Sequence, residues 1–266
     1  MSALDSFFES VKLPSIPALA HSLIETLNDP NASLEAVSDL ITRDPAISAK
    51  LLRLANSAQF GLPRGVATVE DAIAMVGMNK VRTLALGACL SGSFPAMPGV
   101  DAQGFWKSSM ACAGYAEWLA RKVGVDAQIA WLTGMMLRLG ELLIAQAEPQ
   151  SVLEIEKLPR LPGARWQREK RLAGFTEGEL TAELARRWNF PMQIVQALQR
   201  SADPQVTQAY SRLGAIVHLA GLLADTPNAT EEQVADLPTE VLGTLLLEAD
   251  WMRAHFPNNA DFIDAS

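Results

Sequence analysis

Three features of the sequence predict an all-α fold: helically spaced apolar residues, helix-capping signals and poor strand patterns throughout. The longest apolar stripe runs from Ile129 to Leu143 in steps of three and four residues. About a dozen helices are expected from such segments. Because no convincing sheet pattern accompanies them, the predicted architecture is helices packed on helices.

Helix boundaries are marked by residues that satisfy unpaired backbone groups. Asp44 followed by Pro45 is typical of an N-cap and first turn, and it opens a helix predicted to reach Asn56. Thr176 with Glu179 has the spacing of a capping box. Gly77 suits a helix end that needs positive φ.

The chain is predicted to be one domain with two helical lobes. A segment rich in Ser, Pro and Gly, SGSFPAMPGV at 91–100, separates them. The expected N-terminal lobe is 1–95, and the C-terminal lobe is 96–266 with an acidic tail.

The net charge of −8 is concentrated near the C-terminus, where nine acids and only Arg253 follow Ala224. The preceding part has equal numbers of acidic and basic residues. Nucleic-acid binding is therefore not expected, because it needs clustered Lys and Arg. The segment Lys157–Arg171 is a local exception with six bases and Trp166. It is a candidate partner surface, or alternatively a solvated amphipathic helix.

No apolar run approaches the roughly 20 residues that span a bilayer, so no membrane insertion is expected. The N-terminal segment has early acids and no apolar signal core, which favours a cytoplasmic protein. Cys89 and Cys112 lie in apolar helical patterns and are predicted to be buried free thiols.

Three stretches of the N-terminal half resemble the HDOD family. They are LPSIPAL at 13–19, LITRDPAISAKLLRLANSAQFG at 40–61 and TVEDAIAMVGMNKVRTLAL at 68–86. The second half continues the similarity through GMMLRLGELLIA and GFTEGELTAELARRWNFP. The resemblance implies a two-lobed helical HDOD fold whose C-terminal lobe is similar to the HD phosphohydrolases.

The resemblance also locates the positions where HD hydrolases hold metal ions. Those positions carry Ser108, Leu137, Arg138, Glu177, Ser201, Ala202 and Gly221. Only Glu177 retains a ligand-type side chain, and Arg138 places a fixed cation where a divalent metal would sit. We therefore expect no metal cofactor and no metal-dependent hydrolysis.

The family is associated with bacterial signal transduction, so the expected function is that of a non-catalytic regulatory module acting through protein binding. Signalling proteins with receiver, GGDEF or EAL domains are the expected partners. Candidate contacts to a partner or ligand are Arg53, Asn56, Ser57, Arg138 and Glu177. Asn56 and Ser57 could instead serve only as caps of the next turn.

Two other functions remain open at this stage. The first is a sensor in which the altered HD cleft binds a small nucleotide or anion without cleaving it, with Arg138 holding a phosphate. Against it, Arg138 could pair with Glu141 one turn away, or with Glu177. The second is a hydrolase with an unusual set of catalytic residues, which the sequence favours least.

Overall fold

The computed structural model describes residues 3–29, 31–56, 65–95, 97, 99–156, 163–205, 210–258 and 262. Within these ranges the chain forms helices, turns and loops, and no β-strand. The predicted all-α fold is confirmed.

Six helices form the first part of the chain. They are α1 (Ala3–Ser10), α2 (Ala18–Asn28), α3 (Leu34–Thr42), α4 (Pro45–Ala55), α5 (Val69–Val76) and α6 (Met78–Ser93).

The remaining part contains ten α-helices and one 3₁₀ helix among its described residues. They are α7 (Ala102–Val123), α8 (Ala127–Met136), α9 (Leu139–Ala147), α10 (Pro149–Glu156), α11 (Ala164–Leu172), α12 (Glu177–Arg187), α13 (Met192–Gln199), α14 (Arg212–Asp225), a 3₁₀ helix (Glu231–Asp236), α15 (Thr239–Leu245) and α16 (Ala249–Ala254).

The predicted caps are present. The Asp44 carboxylate accepts hydrogen bonds from the first backbone amides of α4, at 3.0 and 3.1 Å. Thr176 and Glu179 form a reciprocal capping box at the start of α12. Gly77 ends α5 with φ of 88°, a region that side chains other than glycine rarely adopt. Local sequence therefore determines where these helices begin and end.

The core is built around three long helices. α7 packs against α8 and α14, and α6 contacts α2, α4 and α5 on one side and α8 on the other. Cys89 on α6 and Cys112 on α7 are buried free thiols, as predicted. None of the helices in the described ranges has the length and apolar character needed to cross a membrane.

The apolar stripe from Ile129 to Leu143 does not form one continuous helix. It breaks at Leu137 and Arg138, between α8 and α9. The Thr181 hydroxyl from α12 pairs with backbone groups at the break. It donates to the Leu137 carbonyl at 3.0 Å and accepts from the Gly140 amide at 2.7 Å. Periodicity missed the break because α8 and α9 are each buried on nearly all sides, and a hydroxyl distant in sequence replaces the helical hydrogen bonds.

Candidate functional site

The positions that the HD resemblance identifies come together in the structure. The Ser108 hydroxyl on α7 donates to the Ala224 carbonyl at the end of α14, at 3.2 Å. Gly178 on α12 lies against Leu137 and Ser201, and Gly221 on α14 also lies against Leu137. We use the term HD-type cleft for this region, where α7, α12, α14 and the α8–α9 break meet.

Arg138 is almost fully buried in this cleft, with 2% of its side chain exposed. Its guanidinium makes a close ion pair with Asp225, the last residue of α14. Burial opposes its charge, but Asp225 and then Glu177 raise the pKa of Arg138. The expected pairing of Arg138 is thus present, although the partner is Asp225. The predicted pair with Glu141 is wrong, because Glu141 binds a different arginine.

That second arginine is Arg165 on α11, which is also 2% exposed. Its guanidinium lies 3.1 Å from Glu141, 2.8 Å from Glu169 and 3.4 Å from Glu177. The two arginines and the four acids, Asp225 included, form what we call the buried charge cluster. Each of the helices α9, α11, α12 and α14 contributes at least one of these charged groups. The cluster therefore connects the four helices.

Trp166, the residue after Arg165, fills the space between the walls of the cleft. A Cβ on Gly221 would lie 3.1 Å from the Trp166 ring and 3.1 Å from Leu137, so the glycine makes room for both. The indole N–H donates to Glu177 Oε1 at 3.0 Å. The ring also packs on His218, with a centroid distance of 5.0 Å. Leu137 and Trp166 therefore occupy the volume between these walls.

The described part of 157–171 forms the amphipathic helix that was one of the two interpretations, with Lys170 and Arg171 on its exposed face. Residues 157–162 lie outside the described ranges. In the described part, Arg165, Trp166, Arg168 and Glu169 are buried. The sequence pattern was misleading because buried arginines are rare, and here the acids of α9 and α12 neutralise Arg165.

Two acids of the cluster hold their protons more tightly than usual. Burial, reinforced by the Glu177 carboxylate, raises the pKa of Glu169 to about 8. Burial likewise raises the pKa of Glu177, although Arg138 and Arg165 oppose the change. Both Glu169 oxygens accept hydrogen bonds, from Arg165 and from the Glu177 amide, whereas Glu177 Oε2 accepts none. Glu177 Oε2 instead lies 3.4 Å from Arg165 Nε, an ion-pair distance.

The histidine of α14 belongs to the packed interior. His218 is buried, and its Nδ1 lies 2.7 Å from the Ser201 carbonyl. Since a carbonyl only accepts, Nδ1 carries the proton in this arrangement. Burial lowers the pKa of His218, so the ring is neutral at pH 7.

The residues of the cleft do not fit a metal ion. In the described part of the chain, no three His, Cys, Asp or Glu side chains are arranged to hold one. The carboxylates that surround Arg138 and Arg165 are already engaged by these guanidiniums. A divalent ion there would meet two fixed cations at close range.

The candidate contacts at the end of α4 have different environments. Arg53 is exposed on the surface. Asn56 holds the returning chain, because its side chain donates to the Val66 carbonyl at 2.8 Å and accepts from the Val66 amide at 2.7 Å. It also donates to the Leu52 carbonyl. Asn56 therefore stabilises the junction between the end of α4 and Val66, and Ser57 and the turn that follows lie outside the described residues.

Sequence reasoning missed three members of the cluster. Asp225 lies one helical turn after Gly221, the position that the HD resemblance gives to an acid. Arg165 and Glu169 have the same spacing on α11. A pair at this spacing is usually a surface pair, so only the packing of α11 reveals its burial.

Solved structures share this fold over nearly the whole chain. A provisionally assigned phosphohydrolase from Shewanella amazonensis superimposes with a TM-score of 0.78 and 25% identity, covering 99% of this chain and 97% of that one. An HDOD domain protein of unknown function from Geobacter sulfurreducens has a TM-score of 0.77 and 20% identity, with 98% and 95% covered. A provisionally assigned signal transduction protein from Marinobacter aquaeolei has a TM-score of 0.76 and 22% identity. All of this chain, and 60% of that one, is covered.

The sequence comparisons agree with the structural ones. An uncharacterised protein from Treponema pallidum is 24% identical over 226 residues. The match covers 79% of this chain and 42% of that relative, so the chain spans less than half of the relative's length. The sequence pattern of the HDOD domain family matches residues 13–204. The chain therefore belongs to the HDOD domain family.

Proposed function

We propose that this chain is a non-catalytic regulatory module that acts by binding other proteins. One observation carries the proposal: Trp166 and Leu137 fill the HD-type cleft, and arginines engage its acids. Membership of the HDOD family and the fold shared with a provisionally assigned signal transduction protein are consistent with a regulatory role.

HD-type hydrolysis needs a metal that lowers the pKa of a water molecule and polarises a phosphate. Here the ligand positions carry Ser108, Leu137, Arg138 and Gly221, which supply no such coordination. The relative provisionally assigned as a phosphohydrolase shares the fold at 25% identity. A shared fold does not by itself imply a shared activity.

The same packing disfavours a nucleotide or anion sensor in the cleft. A phosphate could reach Arg138 only by displacing Asp225 from its guanidinium, and both side chains are nearly inaccessible. Removing that acid from a buried arginine would cost more than an exposed phosphate contact supplies. We therefore assign Arg138 and Glu177 to the structure of the module rather than to ligand contact.

Arg53 remains the best-placed candidate partner contact, because it is exposed next to the junction that Asn56 holds. We propose that its partners are cytoplasmic signalling proteins with receiver, GGDEF or EAL domains. Interface arginines often contribute much of the binding energy, since they combine charge, planarity and several donors.

Affinity purification from the native cells tests the proposal when the wild-type chain is compared with two charge reversals. Arg53→Glu should lose the partner, while Arg43→Glu, at an equally exposed arginine at the end of α3, should retain it. Equal retention by both variants would remove Arg53 from the interface. Failure of the wild-type chain to enrich any protein would contradict the binding function.

A further inference from the structure

A cavity lies between helices of the two halves of the chain, with lining residues from α5, α6, α7 and α8. Its volume is about 450 Å³, within the range of small-molecule sites. Its apolar lining includes Met75 and Val76 of α5, Trp118 of α7 and Phe262. These side chains give the cavity apolar walls.

Charged groups form the remaining wall of this interhelical cavity. The Glu117 carboxylate accepts from Lys80 at 2.5 Å, from Arg121 at 2.7 Å and from Gln128 at 3.3 Å. Two basic side chains thus surround one carboxylate: Arg121 keeps its full charge, whereas burial lowers the pKa of Lys80 and Glu117 opposes that change. The wall therefore favours an anion over a cation or a neutral molecule.

The two cations are held differently. Lys80 on α6 is buried, so its pairing with Glu117 connects the two halves of the chain. Arg121 has 68% of its side chain exposed, and one of its terminal nitrogens binds Glu117. Arg121 also lines the cavity, and the guanidinium donors that do not bind Glu117 are available to an incoming acid group.

A buried ion pair adds little net stability compared with apolar side chains of similar volume. Packing alone therefore does not account for a lysine and a glutamate on the wall of an open, half-apolar cavity. A ligand that combines an acid group with an apolar body would use both kinds of wall.

We propose that the cavity between α5, α6, α7 and α8 binds a small organic monoanion with a planar apolar body. Its acid group contacts Arg121 beside Glu117, and its apolar body lies between Trp118 and Val76. The site goes beyond the proposed partner binding and does not depend on it. Because Lys80 and Arg121 come from different halves of the fold, a ligand here would bring a signal to the place where the halves meet.

Anilinonaphthalene sulfonate is a suitable probe, because it is a planar apolar monoanion whose fluorescence rises on binding. Titration of the full chain should show one saturable site. Arg121→Gln should weaken binding by about tenfold, which corresponds to about 1.4 kcal/mol. Lys122→Gln is the matched control, since the neighbouring Lys122 ammonium lies over the Trp251 ring at 4.6 Å and does not line the cavity. It should leave the affinity within about twofold.

Two further arms test the apolar body and the charge. Val76→Trp should abolish binding by filling the cavity, with far-ultraviolet circular dichroism used to check that the helices are retained. The neutral analogue phenylnaphthylamine should bind about tenfold more weakly than the sulfonate. Unchanged probe affinity in Arg121→Gln or in a folded Val76→Trp variant would overturn the site. Equal affinity for the neutral analogue would overturn its preference for anions.

Discussion

The pair formed by Arg138 and Asp225 offers a direct test of how the charge cluster stabilises the fold. The perturbation is Arg138→Leu, which keeps apolar volume but removes the cation. Asp225 would then be left as an uncompensated buried acid, and Glu177 would lose the group that lowers its pKa most. The cluster would retain four acids around Arg165.

The expected loss is about 3–5 kcal/mol in the free energy of unfolding, the usual cost of removing one partner from a buried ion pair. The double variant Arg138→Leu with Asp225→Leu should lose much less than the sum of the two single variants, because no buried charge of this pair is left alone. The deficit of Arg138→Leu should also shrink as the pH is lowered. Without the Arg138 guanidinium the pKa of Glu177 rises further, so lowering the pH protonates and neutralises Glu177 in the folded variant.

Urea denaturation followed by circular dichroism measures these free energies. Arg253→Leu is the matched control, since Arg253 makes an exposed pair with Asp250 at 3.0 Å. It should change the stability by no more than about 1 kcal/mol. A cost for Arg138→Leu no larger than that of Arg253→Leu would refute the buried pair as a structural element.

Three further outcomes follow from the geometry. Because burial and the Glu177 carboxylate raise the pKa of Glu169 from 4.5 to about 8 on folding, the stability that Glu169 contributes should be fully present below about pH 4.5 and lost as the pH rises through 8. Urea titrations across this range should show that Glu177→Gln flattens the fall. Asn56→Ala should cost about 1–3 kcal/mol, measured the same way, because it leaves backbone groups of the junction unpaired. Gly140→Ala should lower the melting temperature sharply, since its Cβ would overlap the Glu177 carbonyl, whereas Gly243→Ala meets nothing and should be neutral or stabilising.

Each of these outcomes has a result that would contradict it. An unchanged or steeper pH dependence in Glu177→Gln would show that the Glu177 carboxylate does not raise the pKa of Glu169. An unchanged unfolding free energy in Asn56→Ala, together with lost partner binding, would favour a direct contact role for that side chain. Equal melting temperatures for the Gly140 and Gly243 variants would show that α9 and α12 do not approach closely.

The sequence predicted the fold well because helix formation here is governed by local chemistry. Asp44, Thr176 and Gly77 mark helix ends through groups within a few residues of themselves. The apolar periodicity then specifies which faces are buried. The break at Leu137 escaped prediction because its compensating hydroxyl, Thr181, lies on another helix.

The candidate site was predicted only in part. Arg138 was correctly expected to be ion-paired, but its partner Asp225 lies 87 residues away, and periodicity says nothing about such contacts. The burial of Arg165 and Trp166 was missed for the same reason. A basic, amphipathic segment is usually exposed, and only the acids supplied by α9 and α12 allow this one to enter the core.

The most direct test of the central claim is a combined metal and activity measurement on the purified chain. After incubation with Mn²⁺ or Fe²⁺ and desalting, elemental analysis should find no stoichiometric metal. Phosphodiesterase assays with cyclic dinucleotides should show no turnover above a buffer control. One or two tightly held ions per chain, lost on changing residues around Arg138 and Glu177 and accompanied by hydrolysis, would contradict a cleft closed by arginine pairs.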